Sequence, residues 1–72
     1  MIEITEEHLT YLDELRESGE TNMFGARPYI ETRFGLPRSQ AGYVLSAWMK
    51  TFDRDKSIEQ RLEDVANLPV TD

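Results

Sequence analysis

Seventy-two residues make one domain at most, and a chain this short buries only a modest share of its surface, so no deep substrate cavity is expected. The absence of cysteine removes disulfides, thiolate metal sites and thiol nucleophiles together, and leaves a small core to hold the fold unaided. A formal charge of −6 speaks against a protein that works by neutralising many phosphates.

No stretch approaches the roughly 20 apolar residues of a membrane span, and the first residues are acidic instead of basic and then apolar as in a signal peptide. The expected setting is cytoplasmic, with no membrane partner. The charge is unevenly placed. Glu3, Glu6, Glu7, Asp13, Glu14, Glu17 and Glu20 stand against Arg16 alone in the first twenty residues. The centre carries Arg27, Arg33, Arg38 and Lys50 against Glu31, and the last third is acidic again. A mildly basic middle therefore lies between acidic flanks, which is also what ordinary solvated helix faces produce.

The first helix is expected over roughly 6 to 18. Thr5 is a suitable N-cap, Glu6 and Glu7 sit where the helix dipole favours negative charge, and Ile4 and Leu9 have the spacing of a hydrophobic staple. Leu9, Leu12 and Leu15 form its apolar stripe, and Gly19 supplies a left-handed stop. Pro28 is tolerated only in a first turn, so a second helix starts near Ala26, with Met23 and Phe24 in the turn before it. Ala26, Ile30 and Phe34 give it an inner face, Gly35 ends it, and Leu36 packs back on its last turn. Pro37 opens a third helix whose Ala41, Val44, Leu45, Trp48 and Phe52 recur as a core-facing stripe. Ser57 and Gln60 have the spacing of a capping box for a fourth helix, with Ile58, Leu62 and Val65 inward. Asn67 and Pro69 stop it, and residues 67–72 are expected to fray. Phe24 and Trp48 are both assigned to the core.

Chemistry is sparse. His8, the single histidine, has no cysteine, serine or second histidine to complete a nucleophilic or metal-binding set, and reads as a solvated helix residue. Glu6/Glu7 and Asp13/Glu14 are adjacent on a helix, so they splay apart instead of flanking a bond. No enzyme activity, cofactor, metal or small-molecule substrate is expected. The second and third helices resemble a helix-turn-helix over about twenty residues, with Ile30 and Phe34 inside, Gly35 at the turn, and Ala41 and Val44 on the inner side of the recognition helix. Glu31 and Pro37 depart from that pattern, and three-helix protein-binding modules share the geometry. On the outer face of the third helix Tyr43 stands among Ser39, Gly42 and Ser46; it reads either as an interface anchor or as a residue packed on Pro37 or the fourth helix.

The run Thr21-Asn22-Met23-Phe24-Gly25-Ala26, followed by Tyr29, Phe34-Gly35-Leu36, Ala41 and Trp48-Met49, resembles a family of short acidic proteins encoded by bacteriophages and prophages. The resemblance covers about two thirds of the chain. It implies a genomic setting in which small proteins bind and redirect host machines, RNA polymerase first and defence complexes next.

The resulting expectation is an all-α domain spanning 1–72, a bundle of about four short helices with the second and third paired like a helix-turn-helix. Its function would be that of a non-enzymatic phage-type regulator of a host protein complex, the alternative being a DNA-binding regulator. The expected contact residues are Arg38, Ser39, Tyr43, Ser46 and Lys50 with Arg27 and Arg33. Glu6, Glu7, Asp13, Glu14 and Glu17 form an acidic surface that could dock on a basic channel.

Overall fold

The computed structural model describes residues 3–68 and is all-α. Helix α1 runs Glu6–Ser18, α2 Arg27–Phe34, α3 Arg38–Thr51 and α4 Ile58–Ala66, with a short 3-10 turn, η1, at Met23–Gly25. The two left-handed glycines fall where the chain must reverse out of a helix, Gly19 at φ 70° and Gly35 at φ 65°. After Gly35, the Leu36 N–H donates to the Glu31 carbonyl at 3.2 Å and closes α2 in the manner of a Schellman motif. Pro37 then caps α3. The turn folds α2 and α3 onto each other as a helix-turn-helix-like pair, the most extensive helix contact in the molecule.

The core is a single cluster. Leu9, Leu12 and Leu15 of α1 meet Ile30 of α2 and Ala41, Val44, Leu45 and Trp48 of α3, and Ala26 and Ile4 seal its edges. Ile58, Leu62 and Val65 of α4 are half-buried against this cluster, so α4 is a lid on one side of it. Its start has half of the expected capping box: Ser57 Oγ accepts the Gln60 N–H at 3.1 Å. The Gln60 side chain turns instead to Asp64 Oδ1, at 3.4 Å. Of the stretch 67–72 expected to fray, Asn67 and Leu68 still donate backbone hydrogen bonds to α4. Residues 69–72 lie outside the described residues.

Besides Thr51, which bonds within its own helix, three polar side chains tie elements of this apolar frame together. Asp13 accepts the Trp48 indole N–H at 2.8 Å and both Arg61 terminal nitrogens, at 2.7 Å and 2.9 Å. One carboxylate thus joins α1, α3 and α4. Arg61 is almost fully buried, and its guanidinium also lies 5.1 Å from the Phe52 ring. Burial pushes the Asp13 carboxyl up, but hydrogen bonds from Arg61 and Trp48 and the charges of Arg61 and Arg16 outweigh it and hold the group below its ordinary value.

His8 is the third. The sequence places it in solvent, yet it is buried at the interface of α1 with α2, its ring edge-on to Phe34 at 4.6 Å. Its Nδ1 accepts the Thr5 backbone N–H at 3.0 Å, doing at the third helical position what Glu or Gln does in a capping box. Accepting that bond leaves Nδ1 unprotonated and the ring neutral. Burial lowers its pKa from 6.5, and the charge of Glu7 offsets this only in part.

Two measurements check this frame. Asp13→Ala strands a buried guanidinium and is expected to cost roughly 3–5 kcal/mol, because removing one member of a buried pair leaves an uncompensated charge. Adding Arg61→Met should recover part of the loss in urea unfolding, and an equally unstable double variant would contradict the assignment. For His8 the unfolded chain binds the proton more readily than the folded one, so stability is full above pH 6.5 and falls as pH drops through that value. Asp13 adds its own loss only on approaching its ordinary 3.8. His8→Gln keeps an acceptor without titrating; its melting temperature should be flatter than the parent's from about pH 7 to about pH 5.

Candidate functional site

The sequence assigns Phe24 to the core, but it is 84% exposed, more than any other large apolar side chain among the described residues. Turn geometry explains the difference. Asn22 Oδ1 accepts the Phe24 N–H at 2.9 Å, and the Ala26 N–H donates to the Met23 carbonyl at 3.1 Å. A 3-10 turn eclipses residues three apart, so Met23 and Ala26 share the inward side and Phe24 is thrown outward between them. Met23 is half-buried against the core and Ala26 is fully buried.

Phe24 stands at the wall of a shallow groove between η1 and α3. Gly42, Leu45 and Met49 contribute from α3, and Ser46, Lys50 and Arg27 complete the lining. The apolar part follows from helix periodicity: Gly42, Leu45 and Met49 recur at intervals of three and four, on the margin between the buried stripe and solvent. Gly42 leaves the floor without a side chain, and a Cβ there would meet Arg27 Cδ at an ordinary contact distance of 3.8 Å. No carboxylate lines the groove. Arg27 Nε lies 3.4 Å from Glu31 Oε2 one turn along α2, and neither Lys50 nor Arg38 makes an ion pair among the described residues.

Of the contact residues named from the sequence, Arg38, Ser39, Tyr43, Ser46 and Lys50 are all exposed on the outer side of α3. Ser46 and Lys50 line the groove with Arg27, whereas Tyr43, at 37% exposure, lies outside its lining. Arg33 is not brought to this face. It pairs with Glu7 of α1 at 3.3 Å and lies over the Phe34 and Tyr11 rings at 4.9 Å and 5.7 Å.

The acidic set also divides. Glu6, Glu7 and Glu14 line a cleft along α1 beside Arg33, and Glu17 pairs with Arg16 at 3.0 Å. Asp13 is withdrawn into its bonds with Trp48 and Arg61. The residues that sequence reading missed are Phe24 and Met49. The available signal was Asn22 two positions before Phe24, the spacing of an Asx turn.

All the clefts described are shallow and open to solvent. Among the described residues no group of three or more His, Cys, Asp or Glu side chains is placed to hold a metal ion, and no helix is long and apolar enough to cross a membrane. No protein-family model, curated protein or solved structure matches the chain.

The groove is separable from the core, which gives it a stability signature. Phe24→Ser should change unfolding free energy by no more than about 0.5 kcal/mol, against the ~3–5 kcal/mol of a buried phenylalanine truncation. Gly42→Ala should instead stabilise the protein by about 0.5–1 kcal/mol, since it replaces a mid-helix glycine and its methyl meets Arg27 at ordinary contact distance. A large loss from Phe24→Ser in urea titrations would return Phe24 to the core.

Proposed function

We propose that this protein is a non-enzymatic regulator of the phage type, which binds and modulates a host macromolecular machine in the bacterial cytoplasm through the face formed by η1 and the outer side of α3. The observation that carries the reading is Phe24, a large apolar side chain held in solvent beside Leu45 and Met49 by hydrogen-bonded turn geometry. Scattered apolar residues on a surface are ordinary, but an exposed aromatic continuous with an apolar groove and rimmed by cations has the composition of a protein interface, in which aromatic residues and arginine are enriched. RNA polymerase is the leading target and a defence complex the next, both by analogy with the small phage proteins this chain resembles.

The alternative is DNA binding through α3, favoured by its helix-turn-helix-like pairing with α2. The charge balance favours the protein partner. Arg38 and Lys50 are the unpaired cations of α3 among the described residues, whereas phosphate contacts dominate nucleic-acid affinity.

A photo-crosslinking amino acid at position 24, used in lysate of the source bacterium with mass spectrometry, tests the proposal. A discrete, saturable adduct is expected, displaced by unlabelled protein and not by the Phe24→Ser variant. Subunits of RNA polymerase in that adduct would support the leading target. Absence of a saturable adduct, or displacement by Phe24→Ser as good as by the parent, would sink the reading. In gel shifts, duplex binding that weakens steeply with salt and is lost on replacing Arg38 and Lys50 would favour DNA instead.

A further inference from the structure

Resting on the reading that this face binds protein, we infer that the groove receives an acidic amphipathic segment of its partner: an apolar anchor against Phe24, Leu45 and Met49, with flanking carboxylates on Lys50 and Arg27. Three observations converge on this occupant. The floor and wall are apolar, so they take a hydrocarbon or aromatic side chain. The charged residues in the lining are both cations, on a protein whose total charge is −6. Local charge opposite in sign to the whole, set beside an apolar floor, favours a partner segment of negative sign at this face.

The geometry of the charges narrows the chemistry further. Arg27 already sits beside Glu31 at 3.4 Å, held there as an i, i+4 pair, and each member is about one third exposed. An incoming carboxylate meets the remaining guanidinium donors without needing to displace Glu31. Lys50, also in the lining, has no ion-pair partner among the described residues and is the stronger attractor. A nucleic acid strand would find one aromatic platform and two cations in the lining, where such channels use a series of both. A second copy of this chain would offer Glu6 and Glu14 of α1, but the apolar stripe of that helix, Leu9, Leu12 and Leu15, is already buried in the core and leaves no aliphatic anchor for the groove.

The test is a selection of random displayed peptides on the immobilised full-length protein, followed by fluorescence anisotropy with the best-enriched sequence. Enriched peptides are expected to carry Asp or Glu around a Leu, Phe or Trp, and to lose affinity on raising salt. Binding should weaken roughly tenfold or more with Phe24→Ser and with Lys50→Glu, both of which should keep the parent melting temperature. Phe24-dependent peptides that are neutral or basic would overturn the acidic assignment while leaving the protein-binding face standing. No enrichment, or affinity indifferent to both substitutions, would overturn the groove as the docking site. Displacement of the selected peptide by oligo-dT would assign the face to single-stranded nucleic acid, and Phe24-dependent dimerisation in sedimentation would assign it to a second copy. The proposed function fails separately, when the crosslinker at position 24 captures no protein from lysate.

Discussion

The Asp13 carboxylate is the constraint on which the arrangement of the other helices depends. Apolar burial is non-directional, and a core of Leu9, Leu12, Ile30 and Val44 would tolerate several rotations of short helices about one another. Hydrogen bonds with defined geometry do not. By receiving the Trp48 indole and gripping the Arg61 guanidinium in a two-pronged contact, Asp13 sets the rotation of α1 against α3 and the docking of α4 at once. Phe52, at the end of α3, is held against both Arg61 and Arg16, at 5.1 Å and 4.8 Å from their guanidinium carbons. A small core without disulfides is thereby given a unique packing by a polar network at its margin.

His8 serves the opposite edge of α1. It closes the start of the helix through Thr5 and offers its ring to Phe34, so the α1–α2 contact rests on a neutral imidazole in an apolar setting. Arg33 reinforces the same edge by reaching Glu7 across Tyr11 and Phe34. These contacts consume part of the acidic and basic groups that make the charge pattern look like two binding surfaces. Lys50 and Arg38 on α3, and the exposed Glu6 and Glu14 on α1, are what is left over without an ion pair among the described residues. The proposed contact therefore falls on the face where one unpaired cation, Lys50, shares a groove with the exposed Phe24.

Helix boundaries were legible because they depend on neighbours in sequence. Thr5, Gly19, Gly35, Pro37 and Ser57 mark the ends of α1, α2, α3 and α4 by φ preferences and local hydrogen bonds that act within a few residues. The inner stripe of α3 was legible for the same reason, since residues three and four apart share a face whatever they pack on. Hydrophobicity alone assigns Phe24 to the core, and it carries no information about the direction of a side chain in a turn. The 3-10 geometry imposed by Asn22 decides its direction, and a difference of one residue in such a turn separates the fully buried Ala26 and half-buried Met23 from an exposed ring. Gln60 fits the box spacing, but Asp64 at the next turn offers its side chain a partner that the motif does not consider.

The sequence by itself determined that there are about four helices, most of their ends and the identity of most of the core, because capping and periodicity are local physics. Tertiary structure alone decided which polar residues are structural. Asp13 lies 35 positions from Trp48 and 48 from Arg61, and no pattern along the chain announces that the three converge. It also separated Arg33 from the α3 cations and put Phe24 beside Met49, because a surface is assembled from different elements and its composition exists only once their relative rotation is set.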